Sequence, residues 1–166
     1  MITTERLFIR PAVKEDARFF FVLMNTKEWI NNIGQRNITD LQVAEQYIQD
    51  KMMDHYTENG YGNYVMIDQK SGETVGCVSL YNRPDIEDID LGFALLPTHM
   101  KKGYAHEGAL AIMKVAKEVG LKTICAFTTH ENVDSQRLIE KLGFTKNGTI
   151  FFGEEKEELL NYTLTF

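Results

Sequence analysis

Residues 89 to 128 constrain the fold more than any other part of this chain. Ile89 to Leu96 is an apolar, strand-like run. Met100-Lys101-Lys102-Gly103-Tyr104-Ala105-His106-Glu107 follows as a short basic turn containing glycine. Gly108 to Val119 then carries Ala109, Ile112, Met113 and Ala116 at helical spacing, and Gly120 ends it. Lys122 to Thr128 is a second strand, β-branched and aromatic. Strand, helix and strand in this order predict two parallel neighbours joined by a right-handed crossover. A ligand in such a sheet sits beyond the C-terminal ends of the parallel strands. The Lys101 to Glu107 turn begins there. It leaves backbone N–H groups unpaired at a helix N-terminus, which favours an anion such as a phosphate. Lys101 and Lys102 add charge, and Gly103 lets a ligand approach the backbone closely.

The flanking sequence extends this unit on both sides. Arg6 to Arg10 alternates as a strand ending at Pro11, and Ala17, Phe20, Phe21 and Met24 form one helix stripe. Asn31 to Gly34 reads as a loop. Thr39-Asp40-Leu41-Gln42 fits a capping box that starts a second helix, with Ala44, Tyr47, Ile48 and Met52 on one side. Tyr64 to Asp68, Thr74 to Tyr81 and Ile89 to Leu96 read as an antiparallel meander. Val133 to Leu142 is a short helix with Gly143 just past its end. Strands around 144 to 152 and 157 to 166 close the chain, and the charged run Glu154 to Glu158 lies where they turn. The order is β-α-α-β-β-β-α-β-α-β-β. It predicts one α/β domain over residues 1 to 166, its mixed sheet antiparallel early and parallel at its centre.

Composition removes several classes. A chain of 166 residues buries enough surface to fold without staples. A formal net charge of −6 argues against a protein that coats nucleic acid. No apolar run approaches the ~20 residues of a membrane span, and the N-terminus has no signal-peptide h-region. Cys77 and Cys125 sit in strand-like contexts and read as buried thiols of a reducing, cytoplasmic compartment. The four histidines show no metal-ligand spacing, so no metal is expected.

The element order and three segments together resemble the GNAT superfamily of acyl-CoA-dependent N-acetyltransferases, nearest its RimJ/RimL-like branch. Leu7-Phe8-Ile9-Arg10-Pro11 with Glu15-Asp16-Ala17 is similar to that branch's opening strand and helix. Asp90-Leu91-Gly92-Phe93-Ala94-Leu95 with Gly103-Tyr104-Ala105-His106-Glu107 is similar to its CoA-binding strand and phosphate loop. Asn132-Val133-Asp134-Ser135 with Glu140-Lys141-Leu142-Gly143-Phe144 is similar to the segment carrying its Asn and Ser. The resemblance implies a central parallel strand pair splayed to hold CoA. One position departs from it. The superfamily's loop usually reads Q/R-x-x-G-x-G/A, and Met100 stands at its Gln/Arg position. A side-chain contact is lost there, and a lower CoA affinity is expected.

The resemblance also implies four tasks. Acetyl-CoA, as co-substrate, is held by backbone N–H groups of Lys102, Gly103, Tyr104 and Ala105, with Lys101 adding charge. Phe93 and Leu95 offer strand-edge groups to the pantetheine arm, and a backbone N–H near them stabilises the oxyanion. Ser135 protonates or hydrogen-bonds the leaving thiolate while Asn132 orients the cofactor, with Tyr104 or Tyr162 as alternatives for the proton. Locally, Asn132 or Asp134 also reads as a helix N-cap. The acceptor amine arrives protonated, and a carboxylate takes its proton. Asp90 is the first choice and Glu87 the second, within the run Asp85 to Asp90. Trp29 is either a buried aromatic or a wall of the acceptor cleft. The acceptor is a protein N-terminus or a small cationic amine, the negative balance leaning towards a cation. The protein is expected as a monomer or homodimer. The rival reading is a non-catalytic acyl-CoA-binding sensor or partner domain on the same fold. No G-x-G-x-x-G supports a dinucleotide site.

Overall fold

The computed structural model describes residues 1–84, 86–152 and 157–166. Strands β1 (Ile2–Thr3) and β2 (Leu7–Pro11) open the chain. Helices α1 (Ala17–Met24), α2 (Lys27–Asn32) and α3 (Leu41–Ile48) follow. A π-turn (Gln49–Met53) carries α3 directly into α4 (Asp54–Asn59). Then come β3 (Asn63–Asp68), β4 (Thr74–Tyr81), β5 (Ile89–Leu95), α5 (Tyr104–Glu118), β6 (Thr123–Thr128), α6 (Val133–Lys141), β7 (Thr145–Phe152) and β8 (Glu157–Thr165).

All strands join one eight-stranded sheet in the order β1-β2-β3-β4-β5-β6-β8-β7. Every neighbouring pair is antiparallel except β5 and β6, which are parallel as the strand-helix-strand unit predicts. That pair touches only at Ile89↔Ile124 and Asp90↔Cys125. Beyond Asp90, β5 stays paired with β4 as far as Leu95. β6 stays paired with β8 as far as Thr128. The sheet therefore splits at its centre, and the edge of β5 from Leu91 to Leu95 faces the gap.

Two cores flank the sheet, because side chains alternate across a strand. In β3, Met66 enters a cluster with Ala109, Ile112 and Ala116 of α5, while Val65 enters one with Phe20, Ala44 and Ile48 of α1 and α3. Gly108 of α5 sits against the Met66 sulfur with no room for a Cβ, so helix and sheet approach closely. The two cysteines are buried, unbridged thiols, and burial pushes both up to about 12.

Two local expectations are corrected, and two features that the sequence leaves open are added. The helix expected to start with Thr39 as its cap is capped by Asp40, whose Oδ1 accepts the Val43 N–H at 2.9 Å. The Thr39 hydroxyl instead donates to Asp40 Oδ2 at 3.2 Å. An ionised acceptor makes the stronger bond and wins the cap. Asn31 and Asn32 end a helix rather than forming a loop, because Thr26 Oγ1 accepts the Trp29 N–H at 3.2 Å and starts a turn there. The second helix, whose end the sequence leaves open, runs past Met52 through the π-turn to Gly60, whose φ of 76° ends it. The strand β1 was not expected, and at two residues it carries no periodicity.

Candidate active site

The split between β5 and β6 opens into a cleft of about 780 Å³. Asp90, Phe93, Leu95, Lys101, Gly103, Ala105, Asn132, Ser135 and Trp29 all line it. Sequence separations of up to about a hundred residues are thus brought to one place by the crossover and the sheet split.

At one end stands the turn before α5. Lys101 and Gly103 hold φ of 59° and 84°, so the chain reverses sharply into the helix. The first N–H groups of α5 have no partner within the helix and point out of its N-terminus. Three contacts brace this turn from afar. Arg6 Nη1 donates to the Lys102 carbonyl at 2.8 Å. The Arg6 N–H and Nε donate to the two Glu107 oxygens at 2.8 and 2.7 Å. The Thr4 hydroxyl donates to Glu107 Oε1 at 2.6 Å. Burial pushes the Glu107 carboxyl up, but these bonds and the Arg6 charge outweigh it and hold the group below its usual range. Nothing local in the sequence signals this brace.

The Tyr104 side chain turns away from the cleft. Its hydroxyl donates to Asp68 Oδ2 at 2.6 Å, while the Arg6 guanidinium lies 4.8 Å from its ring centroid. The Tyr104 bond, followed by the Ser71 N–H, holds the Asp68 carboxyl down at about 2. Tyr162 is buried behind β6, its hydroxyl 3.4 Å from Glu140 Oε1. Neither tyrosine lines the cleft, whereas Tyr47 and Tyr81 do. Lys102 is exposed and contributes backbone rather than side chain to the turn.

At the start of β5, Asp90 is 3% exposed and ion-paired with Arg83. Arg83 Nε and Nη2 reach Asp90 Oδ2 at 2.9 and 2.8 Å. The same guanidinium lies over the rings of Tyr81 and Phe127. Burial pushes the Asp90 carboxyl up, and Arg83 only partly offsets this. Glu87, the second candidate base, is exposed and does not line the cleft, because β5 begins two residues after it and it stays on the solvated hairpin. Asp85 and the run 153–156 lie outside the described residues.

On α6, Asn132 is the N-cap. Its Oδ1 accepts the Ser135 N–H at 3.2 Å, which commits the oxygen and leaves the amide N–H groups for the cleft. The Ser135 hydroxyl has no hydrogen-bond partner among the described residues. Lys101 reaches across from the turn to Asp134 at 3.7 Å, an exposed pair at the mouth. Met100 lines the cleft with a thioether that also packs on the core, where a guanidinium or amide would supply donors.

The remaining wall was largely missed by sequence reasoning. Trp29 is 9% exposed, and its indole N–H has no partner among the described residues. Arg36, from the segment after α2, and Lys51, in the π-turn, also line the cleft, as do Tyr47 and Met52. Among the described residues no cluster of His, Cys, Asp and Glu could hold a metal ion, and no helix is long and apolar enough to cross a membrane.

Residues 6–145 match the acetyltransferase (GNAT) domain family. The chain is 29% identical over 122 residues to the uncharacterized N-acetyltransferase YjdG of Bacillus subtilis, covering 72% of this chain and 68% of that protein. Its fold superposes on a GNAT acetyltransferase from Bacillus anthracis with a TM-score of 0.80 at 23% identity, covering 99% and 97% of the two chains. It superposes on RimL, the ribosomal L7/L12 alpha-N-protein acetyltransferase, in complex with coenzyme A, with a TM-score of 0.83 at 18% identity, covering 99% and 97%.

Proposed function

This chain belongs to the GNAT family and is an N-acetyltransferase, and from that premise we propose that it moves the acetyl group of acetyl-CoA to the α-amino group of a peptide or amino-acid-like acceptor. The sheet split carries the reading. An open β5 edge from Leu91 to Leu95 leads from Asp90 towards the Gly103 turn, as an extended amide-bearing arm ending in a pyrophosphate requires. The RimL likeness supports an α-amino acceptor.

The residues then divide the work. The N–H groups at the start of α5 hold the pyrophosphate, and the amides of β5 from Gly92 to Leu95 pair with the pantetheine. The Asn132 amide orients the same arm from the other side. The neutral amine nitrogen attacks the thioester carbonyl, forming the N–C bond. A backbone N–H of β5 stabilises the oxyanion. As the C–S bond breaks, the Ser135 hydroxyl donates to the departing sulfur. Asp90 takes the first proton from the arriving ammonium, directly or through one water, which frees the nitrogen to attack, and the second proton leaves the nitrogen as the C–S bond breaks and ends on the departing thiolate. Its raised carboxyl makes it a better base than an exposed aspartate, while Arg83 fixes the orientation of Oδ2.

Thiol release from acetyl-CoA with an acceptor panel tests the reaction. A thermal shift with CoA tests the cleft alone. Ligand at a hundred times its dissociation constant adds about 2.7 kcal/mol, on the order of 5–10 °C for a chain of this size. No shift at millimolar CoA would sink the reading.

A further inference from the structure

The wall built by α2, the segment after it and the π-turn offers hydrogen-bond donors that lack acceptors. The Trp29 indole N–H is buried and unpartnered among the described residues. A buried donor left unmade costs free energy. Arg36 donates only to the carbonyls of Gln35 and Ile33, both at 3.3 Å, and has no ion pair among the described residues. Lys51 has none either. The π-turn sets Lys51 and Met52 into the same lining as Tyr47, and such turns recur at functional sites.

Charge points the same way. The chain carries a net −6, yet among the described residues six lysines and arginines line the cleft against four aspartates and glutamates. Arg83 holds Asp90, and Lys101 reaches Asp134. Glu28 is the one described carboxylate that α2 adds to this wall. The described lining is therefore more cationic than the overall charge, which favours an anionic group on the acceptor.

We infer that the acceptor is an amine bearing a carboxylate a few atoms from the reacting nitrogen, held by Arg36 and Lys51. This rests on the acetyl-transfer reading of the cleft. A planar guanidinium fork and a flexible ammonium are the groups that recognise a carboxylate. Two sources share this chemistry: a free acidic amino acid, and a peptide whose N-terminal residue is followed by an acidic one.

The test measures thiol release with tripeptide amides carrying aspartate, alanine or lysine at the second position, and with free aspartate and glutamate. The aspartate peptide should exceed the lysine peptide in kcat/KM by about tenfold, and the gap should narrow as salt rises. Arg36→Gln and Lys51→Gln should each cut the aspartate-to-alanine ratio about fivefold. Lys51→Glu, at an exposed position, should turn the preference towards lysine. Faster reaction of the free amino acids assigns the small-molecule source, and faster reaction of the peptide assigns the other. Equal or faster reaction of the lysine peptide, or a ratio indifferent to Arg36→Gln and Lys51→Gln, overturns the inference. Titration calorimetry of the aspartate peptide onto CoA-loaded protein separates the two readings. If CoA binds but no acceptor releases thiol, the transfer reading fails. Aspartate-peptide binding weakened by Arg36→Gln would still support the carboxylate site, and its absence would overturn it.

Discussion

At the scale of single residues, Asp90 sits between opposed influences. Burial favours its neutral form, the Arg83 guanidinium favours its charge, and burial prevails. A carboxyl whose proton affinity is raised in this way accepts a proton more readily from an ammonium. Asp90→Asn should lower turnover about a hundredfold near neutral pH, where general-base help is worth most. The loss should shrink towards pH ~10, where free amine is plentiful. A rate profile against pH for both proteins checks this, and a pH-independent loss would assign Asp90 to structure through Arg83. Ser135→Ala removes a hydroxyl that holds no other partner among the described residues. Turnover should fall about tenfold or more while the calorimetric CoA affinity stays within about twofold. That both residues line the cleft was legible because each lies in a contiguous segment whose spacing resembles a known pattern. That Arg83, Arg36 and Lys51 line the same cleft was not visible, because it depends on elements that lie elsewhere in the chain. Glu87 lies off the cleft for a related reason. Sequence neighbours on a hairpin share composition but not direction, and only Asp90 enters the strand.

The elements show what holds the cleft open. Along β5 the apolar pattern and the flanking glycine turn were legible, and so was the parallel crossover, since handedness leaves one choice. The brevity of the β5–β6 pairing was not legible from the residues themselves, because register beyond Asp90 is decided by competition with β4 and β8. Gly76 enforces one side of that competition. A Cβ there would collide with the Ala94 carbonyl oxygen and the Leu95 side chain. Gly76→Ala should therefore push β4 from β5, costing about 1–3 kcal/mol of stability, measurable by denaturant unfolding. The turn before α5 depends instead on the Thr4, Arg6 and Glu107 brace. Arg6 is about two-fifths exposed, so solvent screens the pair and its stability contribution is small. Its larger effect is on the placement of the Lys102 carbonyl and the N–H groups that follow. Glu107→Gln should weaken CoA binding about tenfold with a much smaller change in melting temperature. Calorimetry and a thermal melt on the same protein separate the two effects.

Across the whole molecule, the buried and braced ionisable groups set how the fold responds to acid. Asp68 is held at about 2 against an ordinary 3.8, so the unfolded chain binds its proton first as pH falls. Its contribution is complete above about pH 4 and is lost as pH drops through 2. His55 acts in the same direction from a higher starting point. Burial keeps it neutral, with Nδ1 facing the Tyr61 carbonyl at 3.2 Å and Nε2 accepting the Asn82 N–H at 3.1 Å. Its share is complete above 6.5 and begins to fall below that value. Asp90 opposes both, since a raised carboxyl makes the native state bind its proton before the unfolded chain does. Net charge alone, the quantity a sequence supplies, cannot distinguish these signs. Tyr104→Phe isolates one of them, because the Tyr104 hydroxyl is the largest influence on Asp68. The variant should melt below the unaltered protein at neutral pH by an amount that stays level down to about pH 4. Below that the two curves should converge as Asp68 takes up its proton and the charge-assisted bond loses its advantage in both. A difference that persists unchanged to pH ~2 would mean that the hydroxyl acts through packing, and that the Asp68 charge has no part in bracing the turn before α5.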